Sequence, residues 1–334
     1  MPSVSVLVPA HNEERTLPVL LHCLSVQTYP QKNLEIILVD DRSTDKTYDT
    51  MRHFSKRHPR FKPYRITGPS DTRSPKKIAI EEAVRQSCGE ILLTTDADTR
   101  PGPNWIKAIV ETYDAETGAV LGYAPYRTDG PYRTVFHQLL ALEYFSLAAV
   151  ALATAQTGHP STCNGANFSY RKIAFETVGG FGETLNHLSG DDDLFLHRLR
   201  ARTTWQIRYA SDPDACVFND PPNDFRAFFW QRIRFASKHL AYPVRMRWVL
   251  SGVYLYYCTV FFWLVASLFS IRWWVGFGLL LAAKTFVELL FLFRAQRILE
   301  KRNLLQWYPL IVIPHLVYVV CIPILARMIK PRWK

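Results

Sequence analysis

The sequence predicts an α/β fold followed by a membrane region of long hydrophobic helices. Through residues 1–130, short apolar runs typical of buried strands alternate with segments whose apolar residues recur every three or four positions. This alternation is typical of a parallel sheet covered by helices on both faces. Beyond residue 248, three long stretches carry few charges, and about 20 such residues cross a bilayer as a helix. We therefore predict an α/β domain at residues 1–240 and a membrane region at residues 241–334.

The first domain begins with three predicted strands and three predicted helices. Its predicted strands cover residues 4–8, 34–39 and 91–95, and its predicted helices cover residues 13–27, 43–56 and 76–87. Each strand is an apolar run, and Ser43, Thr44 and Asp45 are side chains that favour a helix start. Residues 132–157 are apolar and helical in pattern, with Glu143 as the only acidic residue. The uncharged run after Glu143 is short for a bilayer, so we expect a core helix or a helix at the membrane interface.

The membrane region contains two to three predicted hydrophobic helices, at residues 248–271, 273–293 and 307–326. Lys284 and Glu288 lie four residues apart in the second stretch and can pair on one helix face. The third stretch is interrupted by Pro309, Pro314 and Pro323. Because proline breaks the helical hydrogen-bond ladder, we predict a kinked or re-entrant segment there.

Basic residues predict the orientation in the membrane only in part. Arg294, Arg297, Lys301 and Arg302 follow the second stretch. The positive-inside bias therefore predicts that this segment and the N-terminal domain face the cytoplasm. Three complete spans would put the basic residues 327–334 outside, against the same bias. A re-entrant third stretch would remove this conflict.

The charge balance favours phosphate and lipid partners. The 334 residues carry 40 Lys and Arg against 29 Asp and Glu, a net charge of +11. A basic surface suits nucleic acid, anionic lipid or a phosphate-rich substrate. The neighbouring apolar stretches favour lipid and phosphate, and the sequence has no aromatic-and-basic RNA motif, so we expect no nucleic acid partner. The six cysteines are scattered without a C-x-x-C pair, which indicates neither a zinc site nor a disulfide framework.

Acidic residues directly follow two of the predicted strands. Asp40-Asp41 ends the run LEIILVDD, and Asp96-Ala97-Asp98 ends the run ILLTTDAD. Open α/β sheets bind ligands outside the carboxyl ends of their strands. An ionised carboxylate there can accept hydrogen bonds from a base or ribose, and a nearby pair can bind Mg²⁺ or Mn²⁺. A helix cap at Asp40-Asp41 and a solvated turn at Asp96–Asp98 are the structural alternatives.

The turn after the first strand reads Pro9-Ala10-His11-Asn12-Glu13. It lacks the G-x-G-x-x-G pattern, so a dinucleotide-binding fingerprint is absent. Its polar groups can face a base or ribose, although Asn12 and Glu13 are also ordinary residues for the start of a helix.

Two later clusters could complete a reaction site. Asp191-Asp192-Asp193 offers a carboxylate as general base, or an acidic helix N-terminus. Gln231-x-x-Arg234-Phe235 lies in a basic, aromatic, helical stretch. An arginine fork binds phosphate oxygens bidentately, whereas the same stretch could be an amphipathic helix at the membrane surface.

Taken together, these segments resemble a family 2 glycosyltransferase with the GT-A fold, a Rossmann-like nucleotide-sugar-binding domain followed by C-terminal transmembrane helices. The resemblance covers about residues 3–240 and extends to the membrane helices of some relatives. The matching segments are VSVLVPAHNEE, EIILVDDRSTDKT, Lys76-Lys77 before a helix, TTDADT, CNGANFSYRKIAFETVGGF, GDDDLFLHRL and QRIRF.

The resemblance implies roles for most of the singled-out residues. Those that would bind the nucleotide-sugar donor are Ala10, His11, Glu13, Asp41, Lys77, Asp96, Gln231 and Arg234. Asp96 and Asp98 would form a D-x-D motif, with Asp98 the preferred ligand of Mg²⁺ or Mn²⁺. Asp192 would be the catalytic base, with Asp191 as the close alternative. Asn164, Gly165 and Asn167 would lie on the acceptor side.

The implied function is transfer of a sugar, with inversion, from a nucleoside diphosphate sugar to a lipid-linked or membrane-embedded acceptor. A UDP-sugar is the favoured donor, and the catalytic domain would face the cytoplasm. Phe235 stands where Q-x-x-R-W has tryptophan, which weakens the inference of processive polymer synthesis and makes it the second reading. A non-catalytic membrane scaffold is the alternative of another class. A sugar-phosphate nucleotidyltransferase would need a Gly- and Arg-rich loop that PAHNEE does not supply.

Overall fold

Seven strands form one mixed sheet in the computed structural model, which describes residues 1–68, 73–238 and 241–329. Their order is β3-β2-β1-β4-β7-β6-β8. Parallel pairs join β1 to β2 and β4, β2 to β3, and β6 to β8, whereas β7 runs antiparallel to both neighbours. The strands are β1 (Val4–Ala10), β2 (Leu34–Asp41), β3 (Phe61–Ile66), β4 (Ile91–Thr94), β6 (Thr117–Gly122), β7 (Phe168–Arg171) and β8 (Gln206–Ala210). Two short strands, β5 (Thr99–Pro101) and β9 (Val217–Asn219), form a separate antiparallel pair.

The chain divides into two units. The first comprises Met1–Arg127 and Val150–Asp220, and the second comprises Thr128–Ala149 and Pro221–Lys334. The first unit holds the sheet and the helices α1 (Leu17–Ser25), α2 (Thr47–Arg57), α3 (Pro75–Gln86), α4 (Trp105–Glu111), α6 (Lys172–Thr177) and α7 (Asp193–Arg202). Helix α5 (Val135–Gln156) contains the boundary after Ala149. The second unit continues with α8 (Phe225–Ser237), α9 (Val244–Ser267), α10 (Arg272–Leu299) and α11 (Tyr308–Met328).

The sheet is covered on both faces, as predicted. Successive side chains of a strand point to opposite faces, so Val6 and Val8 pack in one core with the leucines of α1. Leu7 packs in the other core with Ala79 and Ile80 of α3. The predicted α/β class is therefore confirmed.

Helices α1 and α2 begin four residues later than the sequence predicts, at Leu17 and Thr47. The preceding residues instead connect the loops that follow β1 and β2. Glu13 N donates to Thr47 Oγ1 (2.8 Å), and Glu14 N donates to Asp45 Oδ2 (3.1 Å). Side-chain bonds of this kind compete with helix formation, which explains the later starts.

In the described part of the chain, four helices are long and apolar enough to cross a membrane: Val135–Gln156, Val244–Ser267, Arg272–Leu299 and Leu304–Met328, the last including a short turn before α11. Helix α5, the first of them, follows β6 and precedes β7, and these two strands are hydrogen-bonded neighbours. Both ends of α5 therefore connect to one sheet, so the helix cannot carry the chain across a bilayer. This agrees with the prediction of a core or interface helix.

The three C-terminal helices overlap the predicted hydrophobic stretches, with bounds that differ by up to six residues. Lys284 and Glu288 form the predicted ion pair, with Nζ 2.7 Å from Oε2. The hydroxyls of Tyr257 and Tyr308 also donate to this carboxylate. Helix α11 is continuous, with Pro309 in its first turn and Pro314 and Pro323 inside. Lys330, Arg332 and Lys334, which entered the topology prediction, lie outside the described residues.

Candidate active site

The loops after β1 and β2 are bonded to each other at the carboxyl edge of the sheet. Asn12 N donates to Ser43 Oγ (2.9 Å), and Thr44 N donates to Asn12 Oδ1 (2.9 Å). His11 Nδ1 lies 2.6 Å from the main-chain oxygen of Asp41. Ala10 ends β1 directly beside Asp40 in the parallel register. The sheet therefore brings together four of the residues predicted to bind the nucleotide-sugar donor: Ala10, His11, Glu13 and Asp41.

Two buried carboxylates end β2, and each has an arginine partner. Asp40 is fully buried, with Oδ2 3.0 Å from Arg65 Nε. Asp41 forms an ion pair with Arg42. Burial raises the pKa of Asp41, the charges of Arg42 and His11 lower it, and Asp40 raises it, with a net increase. Asp41 therefore depends on its cationic neighbours to stay ionised.

Lys76 links two of the predicted acidic clusters. Its ammonium lies 2.7 Å from Asp96 Oδ1 and 2.8 Å from Asp191 Oδ2. Burial lowers the pKa of Lys76, but Asp191 and Asp96 raise it by more, so the net shift is upward. A stable cation thus holds the D-x-D segment beside the aspartate run, although these segments are almost a hundred residues apart in sequence.

Lys77, the lysine predicted to bind the donor, has a different environment. Its ammonium is buried and donates to the main-chain oxygens of Thr184, His187 and Ser189, at 2.6–3.0 Å. These contacts fasten the 184–189 segment to α3. The structure thus gives Lys77 a structural role. It brings its neighbour Lys76, which the resemblance included in a matching segment without a role, to the carboxylates.

The aspartate run divides into different roles. Asp192 is the N-cap of α7, where its carboxylate accepts from Asp193 N (2.7 Å) and from Gly165 N (3.4 Å). Asp193 is buried in the first turn of the helix. Asp191 and Asp192 are both partly exposed, but only Asp191 directs a carboxylate oxygen to Lys76 among the described contacts. This geometry favours Asp191 over Asp192 as the carboxylate that faces a substrate.

The segment predicted on the acceptor side lies against Asp191 in part. A Cβ added to Gly165 would lie 2.8 Å from Asp191 Oδ2 and 3.5 Å from Lys76 Nζ, so glycine leaves room for these groups. Asn164 caps a short turn by accepting from Ala166 N (3.0 Å). Asn167 is only 1% exposed, and its amide bonds Tyr123 O, Ala215 O and Trp105 Nε1. The structure therefore gives Asn167 a role in the fold.

The D-x-D segment follows β4, and its oxygens suit a hard divalent cation. Asp96 and Asp98 are partly exposed on either side of the buried Ala97. Among the described residues, no group of three His, Cys, Asp or Glu side chains is arranged to hold a metal. Magnesium often takes only one or two carboxylates and completes its shell with water and substrate phosphates. The donor set thus fits a metal that is shared with a diphosphate.

Gln231 and Arg234 lie on α8 in the second unit, and their predicted contact with the diphosphate stays a prediction. Arg232, between them, was not singled out by the sequence. Its guanidinium is buried against Glu143 of α5, with Nη2 2.6 Å from Oε2 and Nη1 2.8 Å from Oε1. Tyr318 of α11 also donates to Glu143 Oε1, at 2.7 Å. This cluster connects three helices of the second unit.

Comparison with known proteins identifies the family. The sequence model described as glycosyl transferase family 2 matches residues 5–179. A probable glycosyltransferase of Bacillus subtilis, YdaM, is 28% identical over 239 residues, which are 71% of this chain and 55% of that protein. A poly-beta-1,6-N-acetyl-D-glucosamine synthase of Staphylococcus epidermidis is 24% identical over 237 residues, 70% of this chain and 54% of that protein. The chain thus spans about half the length of these relatives.

A solved structure has the same fold. The mannosyltransferase PcManGT of Pyrobaculum calidifontis, in complex with GDP-Man and Mn²⁺, has a TM-score of 0.56 and 20% sequence identity. The match covers 98% of this chain and 86% of that one. At this identity the similarity supports the fold alone. The chain belongs to glycosyl transferase family 2 and has a GT-A fold.

Proposed function

We propose that this glycosyltransferase moves a sugar from a nucleoside diphosphate sugar to a lipid-linked or membrane-embedded acceptor, with inversion at the anomeric carbon. A UDP-sugar is the preferred donor. The observation that carries the proposal is the contact of Lys76 with both Asp96 and Asp191. It brings a candidate metal ligand and a candidate base to one point at the carboxyl edge of the sheet, beside Gly165.

The loops after β1 and β2 would hold the nucleoside. His11, Glu13 and Asp41 offer polar groups at this edge, and Asp41 is an acceptor when ionised. Asp96 and Asp98 would hold Mg²⁺ or Mn²⁺ together with the donor diphosphate, with Asp98 as the preferred ligand. When bound, the cation would stabilise the negative charge that develops on the leaving diphosphate.

Asp191 is proposed as the base. Its carboxylate would take the proton of the acceptor hydroxyl while that oxygen forms a bond to the anomeric carbon. The bond from that carbon to the diphosphate oxygen breaks, and the nucleoside diphosphate leaves with the electron pair. A single displacement of this kind inverts the anomeric centre. Asn164 and Gly165 would border the acceptor hydroxyl, because Gly165 adjoins Asp191.

The acceptor is proposed to reach the enzyme from the membrane. Helices α9 to α11 are long and apolar enough to cross a bilayer. The lipid part of a lipid-linked acceptor can therefore stay in the bilayer while its sugar-accepting group reaches the enzyme. Elongation of a polysaccharide is the second candidate, favoured by the Q-x-x-R pattern and by the Staphylococcus relative. Phe235 in place of tryptophan argues against it.

The donor and metal are tested with detergent-purified protein, UDP- and GDP-sugars, Mg²⁺ or Mn²⁺, and a lipid extract. We expect metal-dependent release of one nucleotide and a labelled lipid product, both lost in Asp98→Ala. Glu111→Ala, an exposed acid at the end of α4, is the matched control and should keep full activity. A ladder of long products would favour the polymer synthase. Nucleotide release that is unchanged in Asp98→Ala would refute the metal site.

The first unit is proposed to face the cytoplasm, since Arg294 and Arg297 lie near the C-terminal end of α10 and Lys301 and Arg302 lie in the segment that follows it. Cys88 is exposed in this unit, whereas the other cysteines are partly buried. A membrane-impermeant maleimide should therefore label Cys88 only after the cells are permeabilised, and Cys88→Ser should remove that signal. Labelling of Cys88 in intact cells would place the unit on the outer side.

A further inference from the structure

Arg42 has a backbone conformation that arginine rarely adopts. Within the described part of the chain, the non-glycine residues with positive φ are Asn12 (56°) and Arg42 (55°). Asparagine visits this region because its short polar side chain can bond locally. Glycine is the usual residue there, since a Cβ makes the conformation unfavourable. Backbone conformations of this kind cluster at functional sites, where the surrounding structure holds them in place.

The guanidinium of Arg42 turns back to the preceding residue. It forms an ion pair with the Asp41 carboxylate, and its Nε donates to Gly68 O at 3.2 Å. The side chain of Asp41 is 6% exposed and that of Arg42 is 20% exposed. Both groups therefore lie at the edge of the loops after β1 and β2, partly within reach of a ligand.

Among the residues that the structure describes, few other charged groups lie around Asp41. His11 approaches from the loop after β1 and contacts the main-chain oxygen of Asp41. Asp40, the preceding residue of β2, is fully buried and bonded to Arg65 from β3. Burial raises the pKa of Asp41 and Arg42 lowers it, ahead of the smaller effects of His11 and Asp40. Arg42 is thus the main cation that keeps this carboxylate charged.

We propose that Arg42 is a positioning residue that holds the Asp41 carboxylate as a hydrogen-bond acceptor, and that it thereby restricts the donor to nucleotides whose base carries a ring N–H. Uracil and guanine have such an N–H on their pairing edge. Cytosine and adenine have a lone pair at the corresponding ring nitrogen, which would face the carboxylate without a proton between them. The site would reject these bases, because a buried polar group left without its bond is costly.

This inference rests on the proposed function, because Asp41 meets a base only if the chain binds a nucleoside diphosphate sugar. The test measures binding of UDP, GDP, CDP and ADP to the full chain in detergent, from pH 6 to pH 8. Wild type is compared with Arg42→Lys, Arg42→Ala and Arg42→Gly. The alanine and glycine variants lose the same guanidinium, but only glycine adopts a φ of 55° without strain.

We expect wild type to prefer UDP or GDP to CDP and ADP. Arg42→Ala and Arg42→Gly should both bind the preferred nucleotide about tenfold more weakly, because a charge-assisted bond is lost. Without Arg42 the pKa of Asp41 rises further, so the affinity relative to wild type at the same pH should fall more at pH 6 than at pH 8. Arg42→Gly should melt at a higher temperature than Arg42→Ala, whereas Arg42→Lys should bind with intermediate affinity.

Several results would overturn the inference. In one, Arg42→Gly binds as tightly as wild type across the pH range. In another, wild type binds CDP or ADP as tightly as UDP and GDP. A loss of binding in Arg42→Ala that Arg42→Gly restores would assign the effect to the backbone and also refute it. If wild type binds none of the four nucleotides, the proposed function itself fails. That result is distinct from a failure of the Arg42 inference, because it is seen in wild type alone.

Discussion

Asp191→Asn is expected to lower the rate of sugar transfer by about 10²–10⁴-fold, the usual contribution of a general base. Asparagine has nearly the same shape and keeps an oxygen that can accept from Lys76, but it cannot take the proton of the acceptor hydroxyl. Donor binding should therefore stay close to that of wild type. The measurement is single-turnover transfer at saturating donor, alongside direct binding of the donor nucleotide.

Asp192→Asn is the matched control for this prediction. The Asp192 carboxylate caps α7 by accepting from Asp193 N, and asparagine is an equally good N-cap. Its transfer rate should therefore change little. The opposite pattern, with transfer lost in Asp192→Asn and kept in Asp191→Asn, would restore the base assignment that the sequence favours.

The sequence pattern leaves open which residue of the Asp191–Asp193 run is the catalytic base. Three adjacent carboxylates offer no internal signal that separates a helix cap from a base. The direction of each side chain depends on where α7 begins and on Gly165, which comes from a distant segment. The adjacent lysines of α3 pose the same problem. Successive residues of a helix point about 100° apart, and only the fold decides which one is buried.

The strands and the acidic strand ends were predictable for a simple physical reason. A strand buried on both faces is a mostly apolar run. β2 is such a run and ends in Asp40-Asp41, and β4 is another, which ends at Thr94, two residues before Asp96. The starts of α1 and α2 were not predictable in this way. They depend on bonds such as Glu13 N to Thr47 Oγ1, which join residues 34 positions apart. Arg42 was missed because its importance depends on a backbone angle.

The sequence also did not predict which polar side chains have a structural role. Asn167 resembles an acceptor-side residue in its motif, yet its amide joins Tyr123, Ala215 and Trp105. Glu143 stands out in the sequence only as the acidic residue of an apolar stretch. Its partner Arg232 lies 89 positions away, inside the stretch that holds Gln231 and Arg234. Their pairing is a property of the folded second unit.

That pairing leads to the largest stability effect we expect. Glu143→Ala should destabilise the second unit by about 3–5 kcal/mol, the typical cost of removing one partner of a buried ion pair. The side chains of Arg232 and Glu143 are only 5% and 4% exposed, so water cannot replace the lost carboxylate easily. Tyr318 loses its acceptor as well. The apparent melting temperature of the purified protein should fall clearly.

A double variant separates charge balance from packing. In Glu143→Leu with Arg232→Met both charges are absent, and hydrophobic replacement of a buried pair is often neutral or stabilising by about 1–4 kcal/mol. Phe228 and Phe235, which flank the guanidinium at 5.0 and 5.2 Å, can pack against the methionine. The double variant should therefore melt near or above wild type, although each single variant melts lower.

Wild type, Glu143→Leu, Arg232→Met and the double variant form a double-mutant cycle. Its coupling energy measures the interaction between the two side chains. Single variants that melt like wild type would mean that Glu143 and Arg232 do not hold α5, α8 and α11 together. If the double variant regains stability but not transfer, the ion pair also orients α8, the helix of Gln231 and Arg234. If it regains both, the pair is purely structural, because neither charge is then needed for turnover.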